Sequence, residues 1–466
     1  MQPKSTVNRQ VKTEIAGIAG LAFCGILVET SMNVTFPTLM GLFHTTLNNV
    51  QWITTAYLLA VTLTIVLAAY LQRSFHYWTI LTVSVLASFF GGVICVAALN
   101  LPMILLGRVI QGAGTGMALP LLFTIIMTQV PRQQQGTYVG TAGMIIALAP
   151  SLGPTYGGTV LDLLDWRYNF IFTLPLIAIF GWVAIKNAIK NKPERHRFQL
   201  AEYLAIVVSL VALTLAVNQL GAGLGDPLVS GGLLLFLAAL VAFVVLTRRA
   251  GGHHLLNLRI LTNHAFTYSL LIYVFLQLVQ ISLTFVIPNL AQLTFNQSAL
   301  VADFLLLAGS LLSSFLGPRH GAALRRPRAT LPPHRREPVH HGQPDFIHRL
   351  HCPLDHLNHH RLPRPLHAGL FDDVQQHDDA GAPAAKRAQI GDCNALFNML
   401  QQYAGSIGTA AMAVIIAIGG AGIQNGATAV LSGSRLAFIV LFCFTAAIAL
   451  LAFALLASLK RQPSGR

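Results

Sequence analysis

Charged residues are almost absent from long stretches of this chain. Between Glu14 and Arg73 the only formally charged side chain is Glu29, and the stretch between Arg259 and Asp303 has none. Each stretch is longer than the roughly 20 apolar residues that an α-helix needs to cross a bilayer. The chain has 466 residues, of which 54% are hydrophobic and 10% are charged, and its mean hydropathy is +0.62. We therefore predict an all-α polytopic membrane protein.

Twelve apolar stretches have the length of a membrane span. The first contains a glutamate and is too long for the core of a signal peptide, so we interpret it as a retained span. None of the five cysteines belongs to a CxxC pair, and we predict no disulfide, metal site or cofactor. The predicted spans are 15–40, 50–72, 78–99, 103–128, 136–160, 168–188, 200–220, 228–247, 266–290, 300–316, 396–420 and 436–459.

The basic residues concentrate on one side of these spans. If the amino terminus is inside, the outer loops hold only Asp162, Asp165, Asp226 and Arg167. The positive-inside rule then places both termini in the cytoplasm. The net charge of +14 is spread over span ends rather than over one compact face, which argues against nucleic-acid binding. The inner basic residues are Lys4, Arg9, Lys12, Arg73, Arg132, Lys186, Lys190, Lys192, Arg195, Arg197, Arg248, Arg249, Arg259, Lys460 and Arg461.

The fifth predicted span is rich in glycine and proline over 143–158, which reads GMIIALAPSLGPTYGG. Small residues on one helical face let a second helix approach closely, and Pro150 and Pro154 each remove a backbone hydrogen bond. We expect a bent, closely packed helix that seals or rocks, and the alternative is a packing helix without a special role. The small residues recur at Gly136, Gly140, Gly143, Ala147, Gly153 and Gly157.

Residues 317–392 form a block unlike the rest of the chain. The block holds 11 of the 17 histidines and 10 of the 22 prolines and has no periodic apolar pattern. Its His-His pairs have no recognisable metal-ligand spacing. Shifting the frame of FDDVQQHDDA (371–380) by one nucleotide yields a string resembling Met-Met-Phe-Asn-Asn-Thr-Met-Thr. We interpret the block as the product of a shifted reading frame, which replaces two membrane spans by a disordered segment.

Residues typical of one known protein family occur in five segments and in Asp165-Trp166-Arg167 after the fifth span. The segments are LVETSMNVTFPTLM (27–40), VQWITTAYLLA (50–60), LLGRVIQGAGTGMALP (105–120), the fifth-span segment and LLNLRILTNHAFT (255–267). Together they resemble the fourteen-span drug:proton antiporters of the major facilitator superfamily. Glu29 stands at the acidic position, where the family usually has an aspartate. The matching residues are Asn33, Pro37, Gln51, Trp52, Tyr57, Arg108, Gln111, Gly112, Gly143, Pro150, Gly153, Pro154, Gly157, Gly158, Trp166 and Arg167.

The resemblance implies two six-helix bundles with two extra helices between them. Of the fourteen spans intended, about twelve are recognisable. The expected parts are an N-terminal bundle at 1–197, the extra helices at 198–250, the start of the C-terminal bundle at 251–316, the block at 317–392 and two last spans at 393–466. The family further implies a monomer in the plasma membrane that exports lipophilic or cationic drugs in exchange for protons.

The loop between the second and third spans departs from the family. A Gly…Asp-Arg…Gly-Arg motif is usual there, whereas AAYLQRSFHYW (68–78) keeps Arg73 and has Gln72 at the acidic position. In the family this acid helps to latch the cytoplasmic gate. The resemblance therefore leaves the strength of the latch open.

Glu29 is the predicted proton carrier. An ionisable group near the bilayer midplane costs at least about 2.5–3.5 kcal/mol, and is therefore usually functional or paired. Burial disfavours the charged form of a carboxyl group, which allows proton exchange near physiological pH. Arg108 keeps its proton, so it can hold or tune a carboxylate without carrying the proton itself. The alternative for Glu29 is a structural hydrogen bond to a neighbouring helix. For Arg108 the alternatives are an interfacial position and a structural role in pinning helices together.

Other polar residues inside the spans are candidates for the substrate cavity. Gln277 and Gln280 share one helical face, and Asn398, Gln401 and Gln402 share another. Each side chain either faces a wet cavity or bonds to a neighbouring helix.

The sequence also limits the possible sources of energy for transport. GAGTG at 112–116 lies within a span without a preceding strand, and no GxxxxGK[ST] motif occurs, so we predict no nucleotide site and no enzyme. An ion gradient is the expected driving force. The alternatives to drug antiport are an inactive product of a frameshifted gene and a nutrient symporter of the same superfamily.

Overall fold

The computed structural model describes residues 7–193, 198–223, 225–249, 255, 258–262, 264–298, 301 and 382–461. Within these ranges the chain is helical and contains no β-strand, as predicted. We number the α-helices of the described residues in chain order. They are α1 (Arg9–Met32), α2 (Phe36–Leu42), α3 (Leu47–Val50), α4 (Trp52–Ser74), α5 (Tyr77–Val96), α6 (Leu101–Gln129), α7 (Arg132–Leu163), α8 (Tyr168–Ile171), α9 (Thr173–Lys186), α10 (Leu200–Asn218), α11 (Pro227–Arg249), α12 (His264–Phe295), α13 (Ala382–Gly419) and α14 (Gly426–Arg461).

Eleven stretches of helix in the described residues are long and apolar enough to cross a membrane. They correspond to eleven of the twelve predicted spans, and the predicted span at 300–316 lies outside the described residues except for Val301. The last span begins about ten residues earlier than predicted, at Gly426. The Asn425 side chain accepts the backbone N–H of Ala427 at 3.0 Å and starts the helix there. Small residues in this first part lower the hydropathy, which hid the helix start from the sequence pattern.

The anomalous block is described only from Ala382 onward. Its last residues, 382–392, are the first turns of α13, so the predicted disorder does not hold for them. Good helix formers in the AAKRAQ segment (384–389) favour this conformation. Residues 317–381 lie outside the described part of the chain.

The helices pack into three groups. In the N-terminal group α6 packs against α4 and α5, and α1 packs against α7 and α9. Helices α12, α13 and α14 pack together, while α10 and α11 form a pair. Helix α13 also packs along α4, and α10 contacts both α4 and α13. The α4–α13 contact therefore joins the N-terminal bundle to the C-terminal helices.

Two sides of the bundle are distinguished by their connections. We call the side where α1 begins the near side and the opposite side the far side. On the near side Gln10 donates to the carbonyl of Asn187 at 3.2 Å. On the far side the guanidinium of Arg167 donates to the carbonyl of Ala98 at 3.0 Å.

Candidate functional site

Glu29 lies inside the N-terminal bundle, close to a break in the first span. Its side chain is only 4% exposed. Helix α1 ends three residues later, and a 3₁₀ turn at Asn33–Thr35 leads into α2, which has Pro37 in its first turn. The described residues give the Glu29 carboxyl group no ion pair within 4.0 Å. The positive charge of Arg108 nevertheless acts on it electrostatically.

Arg108 is fully buried and is held by neutral groups. Its Nε donates to the carbonyl of Ile53 at 3.2 Å, and one guanidinium nitrogen donates to Oε1 of Gln111 at 2.7 Å. The other guanidinium nitrogen has no hydrogen-bond partner among the described residues. A buried positive charge without an acid in contact is unusual, since buried charges are normally paired. Snorkelling to the interface is thereby excluded for Arg108.

Tyr57 connects the surroundings of the two charged residues. The centre of its ring lies 4.0 Å from the guanidinium carbon of Arg108, a cation–π geometry. Its hydroxyl donates to Thr115 Oγ1 at 3.0 Å. A Cβ added to Gly25 would lie 2.9 Å from this hydroxyl. Because Gly25 precedes Glu29 by four residues on α1, the Tyr57 hydroxyl meets α1 one turn from Glu29.

Close packing of α6 on α4 supports this geometry. A Cβ on Gly112 would lie 2.5 Å from the carbonyl oxygen of Tyr57. Only glycine leaves room for such an approach. Gly112 therefore lets α6 lie close enough to α4 for Arg108 to reach over the Tyr57 ring.

The far half of α7 packs directly against the Glu29 region. A Cβ on Gly157 would lie 2.5 Å from the carbonyl oxygen of Ser31, and Gly153 lies against Thr30 and the Leu27 carbonyl. Pro154 and Gly158 are buried beside them, and Pro150 is half-buried. Both prolines lie inside one continuous helix.

The near half of α7 differs from the expectation of one closely packed stripe. No atom of the described residues lies within 4 Å of a Cβ placed on Gly140 or Gly143. The glycine spacing predicted that a second helix packs closely on this face of α7. Among the described residues this close packing is present at Gly153 and Gly157 and absent at Gly140 and Gly143.

The turn after α1 binds helices of both halves of the molecule. Asn33 Oδ1 accepts the hydroxyl of Thr54 on α4 at 2.9 Å, and Asn33 Nδ2 donates to Thr284 on α12 at 3.5 Å. From α12, Asn289 donates to the Asn33 carbonyl at 3.5 Å and Gln292 donates to the Val34 carbonyl at 3.0 Å. We call these contacts the far-side latch. The sequence motifs did not reveal its α12 residues, although Asn289 is a polar residue within an apolar span.

A second seam joins the two halves along α4. Thr55 donates to Oε1 of Gln51 at 2.5 Å and lies 3.1 Å from the hydroxyl of Thr409 on α13. Ser406 on α13 donates to the Thr55 carbonyl at 3.1 Å. Trp52, next to Gln51, is half-buried at the start of α4.

Three further motif residues lie at the helix ends. Trp166 is buried on the far side, with the guanidinium of Arg167 4.5 Å from its ring centre. Arg167 also forms an ion pair of 3.4 Å with Asp165. On the near side Arg73 is exposed, and Gln72 Oε1 accepts the hydroxyl of Thr124 on α6 at 2.7 Å. A neutral hydrogen bond to α6 is therefore present at the position where the family has an acid.

The candidate cavity residues are only partly brought together. Tyr273 donates to Gln401 Oε1 at 2.7 Å and also hydrogen-bonds Gln277, so it joins α12 to α13. Gln402 is buried, and its Nε2 has no partner among the described residues. Asn398 is half-buried, whereas Gln280 is exposed and does not join the Tyr273 group. Within the described residues no group of three or more potential metal ligands occurs.

The described residues form a bundle of long apolar helices, and the buried side chains of Glu29 and Arg108 lie in its N-terminal group. Helices of this length and hydropathy are typical of a polytopic membrane protein. This chain belongs to the Major Facilitator Superfamily, whose family model matches residues 18–336. The match ends inside the anomalous block. The protein is therefore a multi-pass integral membrane protein.

Individual relatives include several transporters of the same kind. The transporter YhcA of Bacillus subtilis is 31% identical over 65% of this chain and 57% of its own length. Lincomycin resistance protein LmrB of Bacillus subtilis is 28% identical over 64% of this chain and 63% of its own length. LmrB of Listeria monocytogenes is 27% identical over 90% of both chains. The chain thus spans less than two thirds of the first two relatives and most of the third.

Solved structures show the same fold at low sequence identity. An autoinhibited peptide transporter of the POT family superposes with a TM-score of 0.52 at 15% identity, covering 98% of both chains. A bacterial homologue of the human lysosomal transporter Spinster, inward-facing and occupied, gives 0.50 at 14% identity over 95% of this chain and 96% of its own.

Proposed function

We propose that this protein is a proton-coupled antiporter that exports lipophilic or cationic drugs across the plasma membrane by alternating access. The observation that carries the proposal is the buried group of Glu29, Tyr57 and Arg108. It provides one acid that can bind and release a proton, and one fixed positive charge that acts on it. The proton gradient supplies the energy without a bound cofactor, and one chain is the transport unit.

The way Arg108 is held keeps Glu29 able to exchange its proton. A direct ion pair would favour the carboxylate and hold the acid in one state. Here the guanidinium bonds instead to the Ile53 carbonyl and Gln111 and lies over the Tyr57 ring. Its charge stabilises the carboxylate from a distance when the proton leaves, and a cationic substrate can then take the place of the proton.

Protonation is coupled to conformation through the turn after α1. Glu29 precedes Asn33 by four residues, and the turn at Asn33–Thr35 forms the far-side latch with α12. A charge change at Glu29 alters the helix that carries this latch, and helices that rock as units transmit the change. The Gly153–Gly157 face of α7 packs on the next residues of α1 and prevents proton leakage past Glu29.

The near side is the cytoplasmic side in this proposal, with both termini in the cytoplasm. The substrate passes between the N-terminal bundle and the helices α12 and α13, which Tyr273 joins through its hydrogen bonds to Gln277 and Gln401. The names of the LmrB relatives make lincomycin the first substrate to test.

Proteoliposomes made with this chain test the proposal. The imposed pH gradient makes the compartment that the far side faces acidic. Lincomycin or the lipophilic cation ethidium should then accumulate in that compartment against its concentration gradient. Glu29→Gln should abolish this transport, while Glu202→Gln, a loss of another buried carboxyl group outside the N-terminal bundle, should leave it intact. Substrate movement in the same direction as the protons would indicate symport, and no movement with any substrate would indicate an inactive product.

A further inference from the structure

The near side of the N-terminal bundle carries three exposed lysines beside two exposed tryptophans. Lys186 ends α9, and Lys190 and Lys192 follow it within a few residues. The described residues give none of the three an ion pair within 4.0 Å. Trp78 in the first turn of α5 is 55% exposed, and Trp182 in the last turns of α9 is 61% exposed. We call these five residues the near-side patch.

Hydrogen bonds hold the segment 187–192 in place, although it is not helical. The carboxyl group of Glu14 on α1, which is fully buried, accepts the backbone N–H of Ile189 at 3.3 Å. Oδ1 of Asn191 accepts the backbone N–H of Tyr77, the first residue of α5, at 2.9 Å. The two lysines on either side of Asn191 are therefore carried by backbone that lies on the start of α5.

The tryptophans lie at the near end of a packed pair of antiparallel helices. Helix α5 begins on the near side and α9 ends there, and a Cβ placed on Gly181 would lie 2.5 Å from a methyl carbon of Val85. Counted from this contact, Lys186 is five residues and Trp78 seven residues closer to the near side, so the two lie at similar depth. The ammonium group of Lys186 is 4.6 Å from the ring centre of Trp182, a cation–π geometry.

The composition of the patch identifies the molecule that it fits. Exposed tryptophans of membrane proteins concentrate at the level of the lipid headgroups, and lysines beside them extend their ammonium groups toward the aqueous surface. The phosphates of the lipids are anions at this level, and clustered basic residues next to a membrane span attract anionic headgroups. The apolar ring surfaces fit acyl chains, which a free phosphate ion lacks.

We propose that the near-side patch binds one anionic phospholipid of the adjoining leaflet. The ammonium groups of Lys190 and Lys192 bind the headgroup phosphate, and Lys186 adds a third positive charge. The rings of Trp78 and Trp182 contact the upper part of the acyl chains. The lipid bridges α5 and α9, so its binding stabilises the near side of the N-terminal bundle.

Native mass spectrometry and thermal unfolding of the purified full chain in detergent test this proposal. We expect dioleoylphosphatidylglycerol to bind at least tenfold more tightly than dioleoylphosphatidylcholine and to raise Tm saturably. Inorganic phosphate at the same concentration should leave Tm unchanged. An equal rise in Tm with inorganic phosphate, or equal affinity for the two lipids, would overturn the proposal.

Two double variants separate a defined site from general attraction to a basic surface. Lys190→Gln with Lys192→Gln should weaken binding of dioleoylphosphatidylglycerol at least tenfold. The matched control is Arg248→Gln with Arg249→Gln, which removes two exposed near-side charges at the end of α11, outside the patch, and should bind as the wild type does. Equal weakening by both double variants would contradict a defined site.

Trp182→Leu provides an independent test if the lysine variants fold poorly. It keeps every charge of the patch and removes one ring, so it should also weaken binding of dioleoylphosphatidylglycerol. Wild-type affinity in this variant would show that the ring does not contact the lipid and would overturn the arrangement proposed for the patch.

Discussion

The guanidinium carbon of Arg108 lies 4.0 Å from the ring centre of Tyr57 and makes no ion pair with an acid of the described residues. The ring and the neutral partners of Arg108 keep its charge on the α4 side of the bundle. Glu29 therefore feels a positive charge without being neutralised by direct contact. This separation is the physical basis of the proposed proton exchange.

Removing the aromatic ring should release Arg108. We predict that Tyr57→Leu lowers proton-driven transport at least tenfold and shifts its pH optimum to lower pH, because the freed guanidinium can pair directly with Glu29 and favour the carboxylate. Tyr57→Phe keeps the ring and loses only the bond to Thr115, so its pH profile should follow that of the wild type. Transport rates measured across the pH range test this. Coinciding profiles of Tyr57→Leu and the wild type would contradict the role given to the ring.

Adding a methyl group to the closely packed face of α7 should break the seal. In Gly157→Ala the new Cβ would lie 2.5 Å from the Ser31 carbonyl oxygen, so α1 and α7 must separate. We expect faster proton leakage in proteoliposomes without substrate and a lower Tm. Gly143→Ala is the matched control, since the described residues place no atom within 4 Å of its Cβ. Equal leakage from the two variants would show that the packing of α7 on α1 does not seal the path.

Weakening the far-side latch should favour the state open to the far side. Gln292→Leu removes the hydrogen bond to the Val34 carbonyl, and one such bond is worth about 0.5–1.5 kcal/mol. That free energy corresponds to a shift of roughly 2- to 13-fold in the equilibrium between the two states. Distance measurements between spin labels on the far ends of α1 and α12 would report the shift. Gln297→Leu, an exposed change beyond the end of α12, should leave the distance distribution unchanged.

The anomalous block gives a prediction about the gene. Resequencing should reveal compensating insertions or deletions that flank residues 317–392, and the corrected frame should encode two further apolar spans. A single uninterrupted reading frame that encodes residues 317–392 as they stand would refute the frameshift interpretation. Peptide masses from the block would then identify it as part of the mature chain.

The class of polytopic membrane protein, its helices and its motif residues could be predicted from the sequence. The reason is that charge-free stretches and the spacing of small residues are patterns within single helices. Eleven spans and the close approach of a neighbouring helix at Gly157 follow from such local patterns. The latch residues Asn289 and Gln292 could not be predicted, because their function depends on which helix of the other half lies beside the turn at Asn33.

The two predicted groups of polar residues show the same limit. Helical spacing correctly groups residues on a face, but it does not say which faces meet. Gln277 and Gln401 are connected through Tyr273, which the pattern did not single out, while Gln280 on the same predicted face is exposed. Similarly, the sequence identified Arg108 and Tyr57 but not the contact between them.

The central claim is that Glu29 gives up its proton when the substrate binds. The most direct measurement is the release of protons from purified protein in weakly buffered solution on addition of lincomycin or ethidium, with binding of the same molecule followed in parallel. We predict that the wild type releases protons and that Glu29→Gln binds the substrate without releasing any. Equal proton release by Glu29→Gln and the wild type would contradict the account.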